Sequence, residues 1–212
     1  MRKIIIAMLL LALWMPMTAQ TMKKASPAQA KEMIAKVNAT AASIRTIKCD
    51  FTQTKKMSFL NEKMVSKGTM NYTNAGQLRW EYQTPYRYIF VINNGKVTMK
   101  SASKTTTVNM ASSRLFQSIA RIMVSSVTGK SLSNSQDFTV QMYTAGTQWV
   151  AVMTPKSSEM KKMFKQVRLY FNPAHSMVSR VEMTEKNGDT TLIELTGVKT
   201  NTAIPASNFT IK

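Results

Sequence analysis

The 212-residue chain holds one cysteine, Cys49, and one histidine, His175. A disulfide framework, a paired-cysteine redox centre and a Cys/His zinc site are therefore excluded. A catalytic triad would have to use His175, which sits in the turn-like segment Asn172-Pro173-Ala174-His175-Ser176 and reads as a surface residue. Carboxylates are also scarce, with 10 Asp+Glu against 29 Lys+Arg. Asp50 and Glu81 fall on the polar faces of expected strands, and Glu182, Glu185 and Asp189 surround an expected hairpin. None of these forms an acid pair for general acid–base work. Gly68, Gly76, Gly95 and Gly188 are absorbed by turns and bulges, with no phosphate-cradling pattern. The chain reads as no enzyme, with no cofactor and no metal.

Long apolar runs are absent outside the first twenty residues. Arg2 and Lys3 form a positive start, Ile4 to Met15 an apolar stretch, and Met17-Thr18-Ala19 a small-residue cut before Gln20. This reads as a cleavable signal peptide over 1–19 in preference to an uncleaved anchor, because a membrane span needs roughly 20 apolar residues. No cysteine stands at the cut, so the exported chain is not lipid-anchored. Cleavage leaves residues 20–212 as a single domain and takes the charge from +19 to +17. In an exported protein so basic a surface suits anionic lipid or an acidic partner, and not nucleic acid. The basic residues are scattered, with pairs only at Lys23-Lys24, Lys55-Lys56 and Lys161-Lys162, and a solvated face explains most of them.

The mature part opens with a helix signal. Ser26 is the cap, Pro27 the first helical residue and Gln29 completes a capping box. Ala30, Met33, Ile34, Val37, Ala41 and Ile44 then recur at helical spacing. From Cys49 the period becomes two. Cys49, Phe51 and Gln53 share a face, as do Met64, Ser66, Gly68, Met70 and Tyr72, and then Leu78, Trp80 and Tyr82. Such alternation with turns between segments specifies an antiparallel meander with one wet face. Tyr86 to Ile92 is apolar on both faces, which leaves its orientation open, and Asn93-Asn94-Gly95 is a hairpin turn. Leu115, Phe116, Ile119, Ile122 and Met123 form a second helical stripe ending at Gly129. Further strands are expected around Val140, Ala151, Leu169 and Val181 and from Leu192 to Val198. Methionine totals 18, of which 14 lie after the leader; by composition these either replace leucine in an ordinary core or form a soft lining for a ligand of variable shape.

Phe51-Thr52-Gln53, Ser66-Lys67-Gly68-Thr69-Met70, Leu78-Arg79-Trp80-Glu81-Tyr82, Thr84-Pro85 and Ile92 to Val97 stand in a distinctive order. With Asn187-Gly188-Asp189, Asn201, Ile204-Pro205 and Phe209, that order resembles the periplasmic outer-membrane lipoprotein carrier family (LolA-type). The resemblance implies an α+β fold: an unclosed antiparallel β-barrel, a large curved sheet, with a helical lid over an apolar cavity. It implies a monomeric carrier that takes acylated lipoproteins from an inner-membrane ABC transporter to an outer-membrane acceptor in the periplasm of a Gram-negative bacterium. Phe51, Met70, Leu78 and Trp80 would line the acyl-chain cavity, and Leu115, Phe116, Ile119 and Met123 the underside of the lid. Proteobacterial members carry an arginine in the turn before the motif tryptophan, which latches the lid; here that position is Asn74, a turn former. The alternative within the same fold is an envelope sensor or adaptor that binds lipid or an apolar protein ligand.

Overall fold

The computed structural model describes residues 21–60, 62–112, 117, 123, 124, 128, 132, 137–172, 174 and 176–211. The capping box forms as its residues require. The Gln29 amide donates to Ser26 Oγ and the Ser26 amide to Gln29 Oε1, which starts α1, Pro27–Ser43. Its apolar stripe buries Met33, Val37 and Ala41, and Ile44 just past its end is buried with them.

The alternating segments become twelve antiparallel strands. They are β1 (Lys23–Lys24), β2 (Thr46–Lys56), β3 (Lys63–Thr73), β4 (Gln77–Thr84), β5 (Tyr88–Asn93), β6 (Lys96–Lys100) and β7 (Thr105–Asn109). Then follow β8 (Phe138–Ala145), β9 (Gln148–Pro155), β10 (Phe164–Asn172), β11 (Met177–Glu185) and β12 (Thr190–Thr200). Their order is β1-β8-β9-β10-β11-β12-β2-β3-β4-β5-β6-β7. Among the described residues β1 and β7 are free edges, so the sheet is unclosed, as the resemblance implied. Three features escaped the sequence reading. The edge strands β1 and β7 are too short or too polar to show a clear pattern. A six-residue helix, α2 (Ser158–Met163), hides between strands, capped by the Ser157 side chain.

The orientation of 86–92 is now explained. Phe90 and Ile92 face inward with the main core, while Ile89 and Val91 face outward against Phe209, Ile204 and Ile211. The strand is apolar on both faces because the C-terminal segment covers its back. Asn201, at φ +57, holds that segment: its side chain accepts from the Arg45 amide and donates to the Ser43 carbonyl at the end of α1. Asn is one of the few residues that occupies this backbone region at low cost. Asn94 and Gly95 take positive φ in their hairpin, as a two-residue turn of this kind demands.

Candidate functional site

Register builds the inner face in rows. Ile47, Tyr72, Leu78, Ile92 and Val97 lie side by side across β2 to β6. One step along, Cys49, Met70, Trp80, Phe90 and Met99 form a second row, and Phe51, Gly68, Tyr82 and Tyr88 a third. Because strand side chains alternate, each row is spaced two residues from the next on the same face. The four residues assigned to the acyl-binding surface thus fall in three adjacent rows. Phe51, Met70, Leu78 and Trp80 are all at most 5% exposed and belong to one apolar cluster.

The rings interlock. Phe51 stacks on Trp80 with centroids 4.3 Å apart and meets Tyr82 edge-on at 5.1 Å. Gly68 makes this possible: a Cβ there would collide with the Glu81 carbonyl oxygen and sit 2.7 Å from Phe51 Cζ. The ring of Phe51 occupies the space opposite that glycine. The Tyr82 hydroxyl donates to Gln53 Oε1 at 3.0 Å, and burial pushes its ionisation up, so it stays neutral. The indole nitrogen of Trp80 lies near enough to Tyr82 to favour the tyrosinate, yet makes no hydrogen bond of full geometry. It is a buried donor left free inside an apolar face, and such a donor carries a desolvation cost until something accepts from it.

From the other half of the sheet, Met142, Met153, Leu169, Val181, Ile193 and Leu195 join the same cluster, with Met33 and Val37 of α1. Of the 14 described methionines, 11 pack into it, from strands and helices alike, so the soft side chains are concentrated in one cluster. Dispersion contacts from unbranched thioethers adapt to a changing neighbour. Met123, from the second apolar stripe, is half-buried against this cluster beside Val124. Leu115, Phe116 and Ile119 lie outside the described residues, as does His175. Asn74 is exposed in the β3–β4 turn, its amide donating to the Arg45 carbonyl, a turn former as expected.

The outer face carries what sequence pattern could not reveal. Arg79 points away from the apolar cluster, bonds Glu81, and reaches the carbonyls of Asn208 and Thr210 at 3.3 and 3.5 Å. Arg87 takes the other oxygen of Glu81. Burial pulls the Glu81 carboxyl up, but the two arginines outweigh it and hold its pKa below the ordinary glutamate range. A recess of about 640 Å³ opens here between β4, β5 and the C-terminal segment. At the β2–β3 turn, Asp189 accepts from the Ser58 amide and hydroxyl, and Lys55 bridges Glu185 and Asp189. The Glu185–Asp189 grouping is a structural turn. Cys49 is buried, its thiol pushed up to about 12 first by desolvation and then by Asp50. Among the described residues no group of three or more His, Cys, Asp or Glu is placed to hold a metal.

Comparison with known proteins agrees with this geometry. Residues 42–212 match the family described as outer membrane lipoprotein carrier protein LolA. The outer-membrane lipoprotein carrier protein of Pseudomonas fluorescens is 26% identical over 177 residues, covering 83% of this chain and 82% of that one. That of Dechloromonas aromatica is 27% identical over 172 residues, covering 78% and 76%. An uncharacterized conserved protein from Thermus thermophilus shares the fold, with a TM-score of 0.51 at 10% identity, over 84% of this chain and 91% of that one.

Proposed function

Since this chain belongs to the outer membrane lipoprotein carrier family of LolA, we propose that it is a periplasmic carrier that shelters the acyl chains of lipoproteins against the inner face of its sheet. The observation that carries this reading is the contiguous apolar surface of Phe51, Met70, Leu78 and Trp80, extended by methionines from both halves of an unclosed sheet. Acyl chains supply about 0.8 kcal/mol per buried CH₂, so a dozen methylenes represent on the order of 10 kcal/mol. A soft lining recovers most of that with chains of differing length. When cargo leaves, the methionines and the lid close on one another, and this repacking offsets part of the lost burial. The free indole N–H of Trp80 is the donor available to an acyl ester carbonyl.

In this reading Met123 belongs to the underside of the lid, and Leu115, Phe116 and Ile119 continue it. Cargo comes from an inner-membrane lipoprotein-releasing ABC transporter and passes to an outer-membrane acceptor. Residues 1–19 are the export signal, and 20–212 the single mature domain. No step of covalent chemistry is required.

Native mass spectrometry of the mature protein, purified from the periplasm without detergent, tests this. The expected result is a one-to-one complex with an acylated lipoprotein, lost in Trp80→Ala. A protein that stays empty when lipoproteins of its own membrane are supplied would refute the carrier and favour a sensor. Phospholipid alone would refute the cargo.

A further inference from the structure

The cations spread along the sequence do not stay spread in the fold. The ends of β2, β4 and α2 and the starts of β3, β5, β10 and β12 all lie at one rim of the sheet. Exposed there are Lys56, Lys63, Lys67, Arg87 and Lys186, with Lys161 and Lys162 on α2 beside them. The Lys186 amide donates to the Met163 carbonyl, which ties α2 to the β11–β12 turn and makes the row continuous. The carboxylates on this stretch are fewer. Glu185 and Asp189 are engaged by Lys55, Glu81 by Arg79 and Arg87, Glu159 is half-buried, and Glu62 is exposed.

The same rim carries large apolar side chains in water. Phe59 is 74% exposed, Leu60 44%, Met64 50% and Val65 48%, all at the β2–β3 hairpin, and Tyr86 is 82% exposed in the β4–β5 turn. Register explains why. β3 pairs with β4 only from Lys67 onward, whereas it pairs with β2 from Lys63. Lys63 to Ser66 therefore overhang the end of β4, and the hairpin tip projects beyond its neighbour. Ser58 fixes its base to Asp189 and to the Asn187 carbonyl, so the projection is anchored.

We infer that this rim docks on an anionic lipid bilayer, the Phe59–Leu60 tip and Tyr86 entering the headgroup layer while the surrounding lysines meet lipid phosphates. Apolar and aromatic tips inside a collar of cations are the complement of an interface that is negative outside and greasy a few ångströms in. Charge chooses this partner over an apolar protein groove, which would not need the lysines. The inference stands apart from the acyl-binding reading, because the tip lies outside the inner apolar cluster and can be altered without touching it.

The test is co-sedimentation of the mature protein with vesicles of phosphatidylcholine containing about one third phosphatidylglycerol, and with vesicles of phosphatidylcholine alone. Binding is expected to the first only and to weaken as salt screens the cations. Phe59→Ser with Leu60→Ser is expected to lower affinity about tenfold or more, and Lys63→Glu or Lys186→Glu about fivefold per positive charge lost. Val198→Ser, an exposed apolar change toward the opposite end of β12, is the control and is expected to bind unchanged. Urea midpoints of all variants check that they fold; the tip is exposed, so these stay at the parent value. Absence of binding to protein-free anionic vesicles overturns the inference and points to a protein partner. Binding that survives loss of the Phe59–Leu60 tip overturns it too, since that would be charge attraction alone.

Discussion

Replacing Gly68 by alanine is a one-carbon change with a consequence that can be worked from the structure. The new Cβ would overlap the Glu81 carbonyl oxygen of the neighbouring strand and lie 2.7 Å from Phe51 Cζ and 2.8 Å from Cε1. Ring atoms at ordinary contact stand near 3.4 Å, so Phe51 must retreat by about 0.7 Å. It cannot retreat freely, because Trp80 stacks on it at 4.3 Å and Tyr82 abuts its edge. The backbone of β4 is held by pairing on both sides. Overpacking of a tight core costs about 1–3 kcal/mol, and a collision with backbone places this case at the upper end, about 3 kcal/mol. Gly76→Ala supplies the internal comparison. There φ is +81 and nothing lies within 4 Å of the added carbon, so only backbone strain of about 1–2 kcal/mol applies. Urea unfolding, followed by tryptophan fluorescence, reads both. With a slope of about 2 kcal/mol per M, the Gly68 midpoint falls by about 1.5 M. Equal midpoints for the two variants would refute the claim that the Phe51–Trp80 stack depends on the missing side chain.

Glu81→Gln is expected to cost about 1.5–3 kcal/mol at pH 7, the value of hydrogen bonds to charged groups. Because the folded-state pKa of Glu81 is lowered, its stabilisation is present above the ordinary glutamate range and lost as pH falls through the lowered value. The variant's stability should therefore decline less than the parent's between about pH 5 and 3, and parallel acid limbs in urea titrations would refute this. Arg79→Ala releases the carbonyls of Asn208 and Thr210, so amide hydrogen exchange should quicken in residues 206–211 and not in α1. Cys49 should resist thiol reagents at pH 8 in the folded protein and react fully in urea, since only a thiolate attacks and burial suppresses it. Rapid labelling of native protein would contradict its placement under the sheet.

Much of the inner face was legible in the residues themselves. A period of two decides which side chains of one strand share a face, so Leu78 and Trp80 fell together, the family resemblance grouped Phe51 and Met70 with them, and the capping box located the start of α1. What periodicity cannot report is what covers a face. Residues 89–92 are apolar on both sides, and only the arrival of Phe209 and Ile211 from the other end of the chain accounts for the outer one. Arg79 shows the same limit: its alternation put it on the polar face, yet its role as a clamp on the C-terminal carbonyls needs a partner 129 residues away.

Local order therefore determined the strands other than the two edges, the first helix, the turns at Asn74 and Asn94, and the family to which the chain belongs, because these depend on neighbours within a few residues. Pairing register and strand ends decided the rest. They aligned three rows of side chains into one apolar surface, left the β2–β3 tip beyond the end of β4, and drew lysines from four segments onto one rim. Such features arise from contacts between residues far apart in sequence, and no short-range pattern records them.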